Sequence, residues 1–306
     1  MPALPDGVLA ASVTPLTDDL RPDGSALAAH VKHLLSDGCD AVLLFGTTGE
    51  GLSFTVEERT DALEAVLDAG VPPHKLLVGT GAAPLPDTIA LTHHATEREV
   101  GGVLVLPPFH FTDVSDDGLL ATYRHLIEAV PTPSLNLYFY HYPGLTQVPI
   151  SFPVIETLRE QYPEVVAGIK DSTDEWDHKE ALCRSFPDLQ VFTGTERHLG
   201  PLLQAGGAGT ISATVNVTTP LAQAVVQAFR ADGDPATAQS LLSEFRTRLS
   251  SFPTIPALKQ IVAWRRDAPG WTRVRPPQVP LSDEETEGLR ALYDELEATL
   301  PDWRSA

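Results

Sequence analysis

The chain of 306 residues is 42% hydrophobic and 20% charged, which is ordinary for a globular protein and enough for one large α/β domain or two average domains. Its formal net charge of −20 and pI near 4.7 argue against nucleic acid and anionic membrane surfaces as partners. The sequence has neither a signal peptide nor an apolar run of about 20 residues, so we expect a cytoplasmic location and no membrane partner.

Eight short apolar runs indicate buried β-strands, because they are rich in aliphatic and β-branched residues and end at glycine, proline or polar residues. In chain order these runs are 7–14, 40–45, 76–79, 102–106, 134–140, 165–170, 189–193 and 209–213. Amphipathic segments between them predict helices near 25–37, 55–69, 87–99, 115–130, 151–162, 197–205 and 219–231. Strands that alternate with helices at a spacing of about 25 residues predict a (β/α)8 TIM barrel. A doubly wound open sheet fits less well, because there are too many units and no Gly-x-Gly-x-x-Gly follows the first strand.

The last part of the chain has no strand signal. Three helical stretches are predicted near 235–250, 255–267 and 282–300. We therefore expect an α/β protein with a catalytic barrel over residues 1–232 and a C-terminal helical region, residues 233–306, packed on the barrel.

Active sites of (β/α)8 barrels lie at the carboxyl ends of the strands, which selects the candidate segments. At these ends the sequence places residues 46–51, 138–144, 170–172, 194–196 and 211–212. Lys170 is the only one of five lysines that follows a strand-like apolar run. An ammonium in an apolar setting is costly to keep charged, so the free amine of Lys170 becomes available as a Schiff-base nucleophile. An ion pair with Asp171, or a solvent-facing ammonium, is the structural alternative.

Two other segments at the strand ends offer groups that such a lysine would need. Residues 46–50 combine hydroxyls and backbone amides in a glycine-rich turn, a form suited to a carboxylate or a phosphate, although the turn lacks the signature of a P-loop. Tyr140 is either a core aromatic residue or a phenol that shuttles protons for the imine chemistry.

Neither cysteines nor histidines predict a metal site. Cys39 and Cys183 are too few for a disulfide framework or a cysteine metal site, and we expect both to be reduced packing residues. His110 and His141 are far from each other in the sequence, and the adjacent His93 and His94 face different directions on a predicted helix. A zinc site is therefore the less favoured interpretation.

Four motifs in this order resemble the dihydrodipicolinate synthase / N-acetylneuraminate lyase superfamily. They are Gly-Thr-Thr-Gly-Glu at 46–50, the Tyr-x-x-Pro turn at 140–143, Gly-Ile-Lys-Asp at 168–171 and Gly-Gly-Ala-Gly-Thr-Ile-Ser at 206–212. The resemblance covers almost the whole chain. It implies a class I pyruvate-dependent aldolase, a homotetramer built as a dimer of dimers, in which a lysine imine with the substrate replaces any metal or other cofactor.

The resemblance also implies roles for individual residues. Lys170 matches the Schiff-base lysine and Tyr140 the proton-relay phenol, while Thr47 and Thr48 match the residues that hold the carboxylate of the 2-oxo acid, Thr48 standing also among the catalytic residues. Ile211 would offer a backbone carbonyl to the substrate. The remainder of the substrate would be read by residues that match Ser172, Thr195, Glu196 and Ser212.

Several positions depart from the best-known members. Leu145 stands where dihydrodipicolinate synthases carry a carboxylate-binding arginine, and His141 where asparagine is usual. His110 replaces a tyrosine that reaches across a subunit interface, and it is either a substitute donor at the substrate or the mark of a changed proton route. Thr195-Glu196 keeps one acid of the acidic pair found in N-acetylneuraminate lyases. The Tyr-x-Tyr-Pro form of the turn at 140–143 is closest to the 2-keto-3-deoxy sugar acid aldolases.

The sequence therefore predicts a lyase that reversibly cleaves a 2-keto-3-deoxy sugar acid or a 4-hydroxy-2-oxo acid into pyruvate and an aldehyde. Three alternatives remain open: a Schiff-base sugar-acid dehydratase, a 4-hydroxy-tetrahydrodipicolinate synthase, and a homologue that binds a 2-oxo acid without turnover. The expected partners are small 2-oxo acids and aldehydes.

Overall fold

The computed structural model of the chain describes residues 4–299 and shows a closed barrel of eight parallel strands. Each strand pairs with the next one in the chain, and β8 closes on β1. The strands are β1 Gly7–Ala11, β2 Ala41–Leu44, β3 Leu76–Gly79, β4 Gly102–Val105, β5 Leu137–His141, β6 Val166–Asp171, β7 Gln190–Thr193 and β8 Gly209–Ser212. The predicted (β/α)8 fold is confirmed.

Helices follow the strands around the outside of the barrel. They are α1 Gly24–Ser36, α2 Val56–Asp68, α3 Leu85–Glu97, α4 Asp116–Ala129, α5 Pro143–Thr146, α6 Phe152–Gln161, α7 Trp176–Ser185, α8 Leu199–Gln204, α9 Val215–Arg230, α10 Ala236–Leu249, α11 Thr254–Arg266 and α12 Asp283–Thr299. The sequence patterns give no bounds for two of these helices, the short α5 after β5 and α7 between β6 and β7. The predicted end of the last helix, Leu300, lies outside the described residues.

Helix α9 begins four residues before its predicted start at residue 219, and Pro220 lies inside it. The first turn is held against β1 by Asn216, whose side-chain amide donates to the carbonyl of Ala11 at 2.7 Å and accepts from the N–H of Val13 at 3.1 Å. These contacts join residues about 200 positions apart in the chain, so the local pattern around the proline does not reveal them.

Strand side chains alternate between two cores, as the pleat requires. Those that face outward pack with the helices in one large cluster. Those that face inward form a smaller core inside the barrel, which includes Leu9, Leu43, Leu77, Phe192 and Ile211. Because side chains fill the interior of the barrel, a cavity can form only beyond the strand ends, and in this fold active sites lie at the carboxyl end.

The three C-terminal helices belong to the same packed body. Helices α10 and α11 both contact α9, and their buried residues Leu242, Phe245 and Ile261 are part of the large outer core. The division of the chain at residues 232 and 233 stays a prediction. None of the helices in residues 4–299 combines the length and hydropathy needed to cross a membrane.

The barrel closure gives a test of the fold. Gly209 on β8 lies opposite Gly7 on β1, and a Cβ at Gly209 would stand 2.0 Å from the carbonyl oxygen of Gly7. Gly209 and Gly206 both have positive φ, +143° and +86°, but no atom lies within 4 Å of a Cβ at Gly206. We expect Gly206→Ala to lower the free energy of unfolding by about 1 kcal/mol, from backbone strain alone. Gly209→Ala adds a steric overlap and should cost about 1–3 kcal/mol more in urea unfolding. Equal decreases in the free energy of unfolding for the two variants would contradict a close approach of β8 to β1 at Gly209.

Candidate active site

A cavity of about 280 Å³ opens at the carboxyl ends of the strands. Six of the residues singled out in the sequence line it: Thr47, Thr48, Tyr140, Lys170, Ser172 and Ile211. They come from the ends of β2, β5, β6 and β8, and the barrel closure brings these ends together. A polar cavity of this size suits a small acid.

Lys170 lies on β6, directly opposite Tyr140 on the neighbouring β5. Both side chains are buried, and the Lys170 Nζ stands 4.4 Å from the centre of the Tyr140 ring. The strand register therefore fixes an amine and a phenol side by side in the cavity. This is the arrangement that carbinolamine formation and proton transfer require.

The pKa of Tyr140 is lower than that of an ordinary tyrosine. Burial by itself raises the pKa, but the Lys170 ammonium and hydrogen bonds with Thr47 and Ser172 lower it by more. The Thr47 Oγ1 lies 3.3 Å from the Tyr140 Oη. A phenol with a depressed pKa releases and recovers a proton more readily near neutral pH, which suits a relay.

Residues 46–51 form a tight turn after β2, which we call the threonine loop. The N–H of Glu50 donates to the carbonyl of Thr47 at 3.1 Å, and the N–H of Gly51 donates to the carbonyl of Gly46 at 3.2 Å. The Thr14 hydroxyl, from the segment that follows β1, donates to the carbonyl of Gly49 at 2.8 Å. These bonds close the turn on itself and present Thr47 and Thr48 to the cavity.

The structure does not bring Thr195, Glu196, Ser212 or His110 to the cavity lining. Glu196 is fully buried, and its carboxylate accepts hydrogen bonds from the Ser212 hydroxyl at 2.6 Å and from the hydroxyl of Thr214. The Thr195 side chain is buried as well. His110 lies in the exposed segment between β4 and α4, with its ring 5.2 Å from that of Phe111. The substrate roles that the resemblance implies for these four residues stay predictions.

Five lining residues lie outside the segments that the sequence placed at the strand ends: Ala213, Arg246, Thr254, Ile255 and Gln278. Four of them belong to the C-terminal helical region. Arg246 on α10 is half-buried, has no carboxylate partner among residues 4–299, and its Nε is buried without a hydrogen-bond partner. No local signal distinguishes Arg246 from the neighbouring arginine, Arg248, because only packing turns it toward the cavity. The cavity thus carries a second cation far from Lys170 in the chain.

His141, Asp171 and His178 bring atoms that could ligate a metal within 4.8 Å of one another, on the outward side of β5 and β6. Their hydrogen bonds explain the cluster in another way. The Asp171 carboxylate lies 2.7 Å from the His178 Nδ1, and it accepts from the Thr173 hydroxyl at 2.7 Å and from Lys179 at 3.3 Å. These partners hold the pKa of Asp171 well below its usual value despite burial. With an ammonium already beside the carboxylate, we interpret the cluster as a network that holds the ends of the two strands.

Comparisons with known proteins agree with this geometry. The sequence profile of the Dihydrodipicolinate synthetase family matches residues 4–296. A DapA-like lyase of Chloroflexus aurantiacus is 39% identical over 297 residues, which cover 97% of this chain and 98% of that protein. Among solved structures, dihydrodipicolinate synthase from Agrobacterium tumefaciens has a TM-score of 0.83 at 31% identity, with 94% and 99% of the two chains covered. YagE from Escherichia coli K12, solved in complex with pyruvate, has a TM-score of 0.87 at 26% identity, with 96% and 99% covered.

The network behind the cavity should make stability depend on pH. Burial lowers the pKa of His141 from 6.5 to about 4, so between these values the unfolded chain binds a proton that the folded chain does not. Stability therefore rises with pH across this window. The free energy of unfolding of the wild type should therefore fall as the pH is lowered from 6.5 to 4. We expect His141→Asn to remove up to about 3 kcal/mol of this decrease. Burial and the nearby Arg266 also lower the pKa of His30, to about 3, so the stability of the variant should still depend on pH to a smaller extent.

Urea unfolding at pH values from 4 to 8 measures this effect. His93→Asn, which removes an exposed histidine from α3, is the matched control. A variant at His141 with the same pH slope as the wild type would contradict the expectation.

Proposed function

Because the chain belongs to the dihydrodipicolinate synthetase family, we propose that it is a carbon–carbon lyase of the class I aldolase type, with Lys170 as the imine-forming residue. The observation that carries this proposal is the pairing of Lys170 and Tyr140 across β5 and β6 inside the cavity. Relatives and structural neighbours named as a DapA-like lyase and a 2-keto-3-deoxygluconate aldolase support it at the level of the reaction class. The homotetramer implied by the resemblance stays a prediction.

The proposed reaction begins when the Lys170 amine attacks the ketone carbon of a 4-hydroxy-2-oxo acid. Loss of water from the carbinolamine gives the imine, with Tyr140 supplying and recovering protons. The C3–C4 bond then breaks as the C4 hydroxyl gives up its proton, which releases an aldehyde and leaves an enamine. Protonation at C3 and hydrolysis of the imine release pyruvate and the free lysine. Thr47 and Thr48 hold the carboxylate of the 2-oxo acid throughout.

The aldehyde half of the substrate carries, in this proposal, an anionic group at its far end. Arg246 lines the same cavity as Lys170 and has no carboxylate partner among the described residues. A half-buried guanidinium without an anion pays a desolvation cost that a carboxylate or phosphate ester would offset. Leu145, at the position of the synthase arginine, is half-exposed and offers no charge. We therefore assign the recognition of this anionic end to Arg246 on α10.

Borohydride trapping tests the lysine. With pyruvate present, we expect reduction to attach a pyruvyl-derived group to Lys170, located by peptide mass spectrometry. Lys170→Ala should abolish the adduct, whereas Lys32→Ala, which removes an exposed lysine of α1, should leave it. A chelator should leave turnover unchanged. A wild-type protein that traps no 2-oxo acid would overturn the proposal, and product analysis separates pyruvate release from the loss of water by a dehydratase.

Arg246→Gln tests the anionic end of the substrate. We expect kcat/KM to fall about 10- to 100-fold for aldehydes that carry a phosphate ester or a carboxylate, because a charge-assisted hydrogen bond is lost. Turnover of uncharged aldehydes and the trapping of pyruvate should change little. The matched control is Arg248→Gln on the same helix, where the exposed arginine pairs with Glu295. An equal loss for charged and uncharged aldehydes would contradict the assignment.

A further inference from the structure

We propose that Lys259 is a positioning residue that holds the threonine loop in its carboxylate-binding shape through a buried ion pair with Glu50. This inference rests on the proposed function, in which Thr47 and Thr48 grip the 2-oxo acid. Lys259 lies on α11 in the C-terminal helical region, more than 200 residues from the loop in the chain.

The pair is fully enclosed. Lys259 is 0% exposed and Glu50 is 4% exposed. The Lys259 Nζ donates to one oxygen of the Glu50 carboxylate and, at 2.7 Å, to the carbonyl of Arg273. The other Glu50 oxygen accepts from the backbone N–H of Arg275 at 3.0 Å. Each charge therefore has partners that offset the cost of its burial, and all partners of Glu50 in this set come from residues 259–275.

Glu50 is also the residue that shapes the loop. Its φ of +54° lies in the left-handed region, which costs a residue with a side chain about 1–2 kcal/mol. Its N–H closes the turn onto Thr47, and its carbonyl accepts from the N–H of Ser53 at 2.8 Å. A strained backbone of this kind persists where its surroundings over-determine it. The ion pair with Lys259 supplies that constraint, two residues from Thr48.

The same helix reaches the cavity directly. Thr254 and Ile255 in the first turn of α11 line the cavity, and Lys259 follows one turn later, where its side chain meets Glu50. One rigid element thus forms part of the cavity wall and clamps the loop that holds the substrate carboxylate. A change at Lys259 should act on the binding of the 2-oxo acid without touching the lysine that forms the imine.

Lys259→Met removes the ammonium but keeps an apolar chain of similar length. We expect KM for the 2-oxo acid to rise about tenfold with a smaller change in kcat, because the loss falls on carboxylate binding. Hydrogen exchange at the amides of Glu50, Gly51 and Ser53 should become faster, since the loop that they close is no longer held. The adduct on Lys170 should still form at saturating pyruvate.

Arg265→Met is the matched control, because Arg265 lies on the same helix as Lys259 and forms a largely buried ion pair with Glu297 of α12. We expect it to lower Tm as Lys259→Met does, but to leave KM and loop exchange at wild-type values. If Lys259→Met does not fold, the double variant Lys259→Met with Glu50→Gln removes the orphaned charge and serves in its place.

The outcomes separate the two ideas. Equal loop exchange in Lys259→Met and Arg265→Met would overturn the positioning role, even when the wild type traps pyruvate. Wild-type KM in Lys259→Met would overturn it as well. A wild type that traps no 2-oxo acid would overturn the proposed function, and faster loop exchange in Lys259→Met alone would then still support the clamp on the loop.

Discussion

The closed ladder of parallel strands is the constraint on which the site depends. Because β8 pairs with β1, the carboxyl ends of all eight strands face a single opening. The register of β5 on β6 sets Tyr140 opposite Lys170 and His141 opposite Asp171. Successive side chains on a strand point to opposite faces, so the first pair faces the cavity and the second faces the helices. One register therefore builds both the pair of Lys170 and Tyr140 in the cavity and the hydrogen-bonded network behind it.

The C-terminal helical region completes the site. It supplies Arg246, Thr254 and Gln278 to the cavity, and its polar side chains tie the loops of the barrel to one another. Arg275 donates to both oxygens of Glu58 at the start of α2 and to the carbonyls of Leu20 and Ser53. These bonds hold the pKa of Glu58 at about 2. The region therefore covers part of the outer core and contacts the threonine loop through Lys259 and Arg275.

The overall charge of the chain and the charge of its cavity have opposite signs. A net charge of −20 indicates an acidic surface, yet Lys170 and Arg246 both face the cavity. Fields of surface charges are screened over about 8 Å at physiological ionic strength, whereas cations lining a partly enclosed cavity act at contact distance. An acidic protein can therefore bind an anionic substrate through two well-placed cations. The overall negative charge argues against nucleic acid and anionic membrane surfaces as partners, but it does not exclude a small anionic substrate.

The sequence by itself determined the barrel, the strand that carries Lys170, and the placement of Tyr140, Thr47 and Thr48 at the carboxyl end of the barrel. Each of these conclusions follows from an apolar run and the residues directly after it, so the signal is local. Only the tertiary structure decided that Arg246 faces the cavity and that Glu196 turns away from it toward the hydroxyls of Ser212 and Thr214. The same holds for the clamp of Lys259 on Glu50. The reason is that a side chain finds its partner through the packing of segments distant in the chain, and no short pattern records that packing.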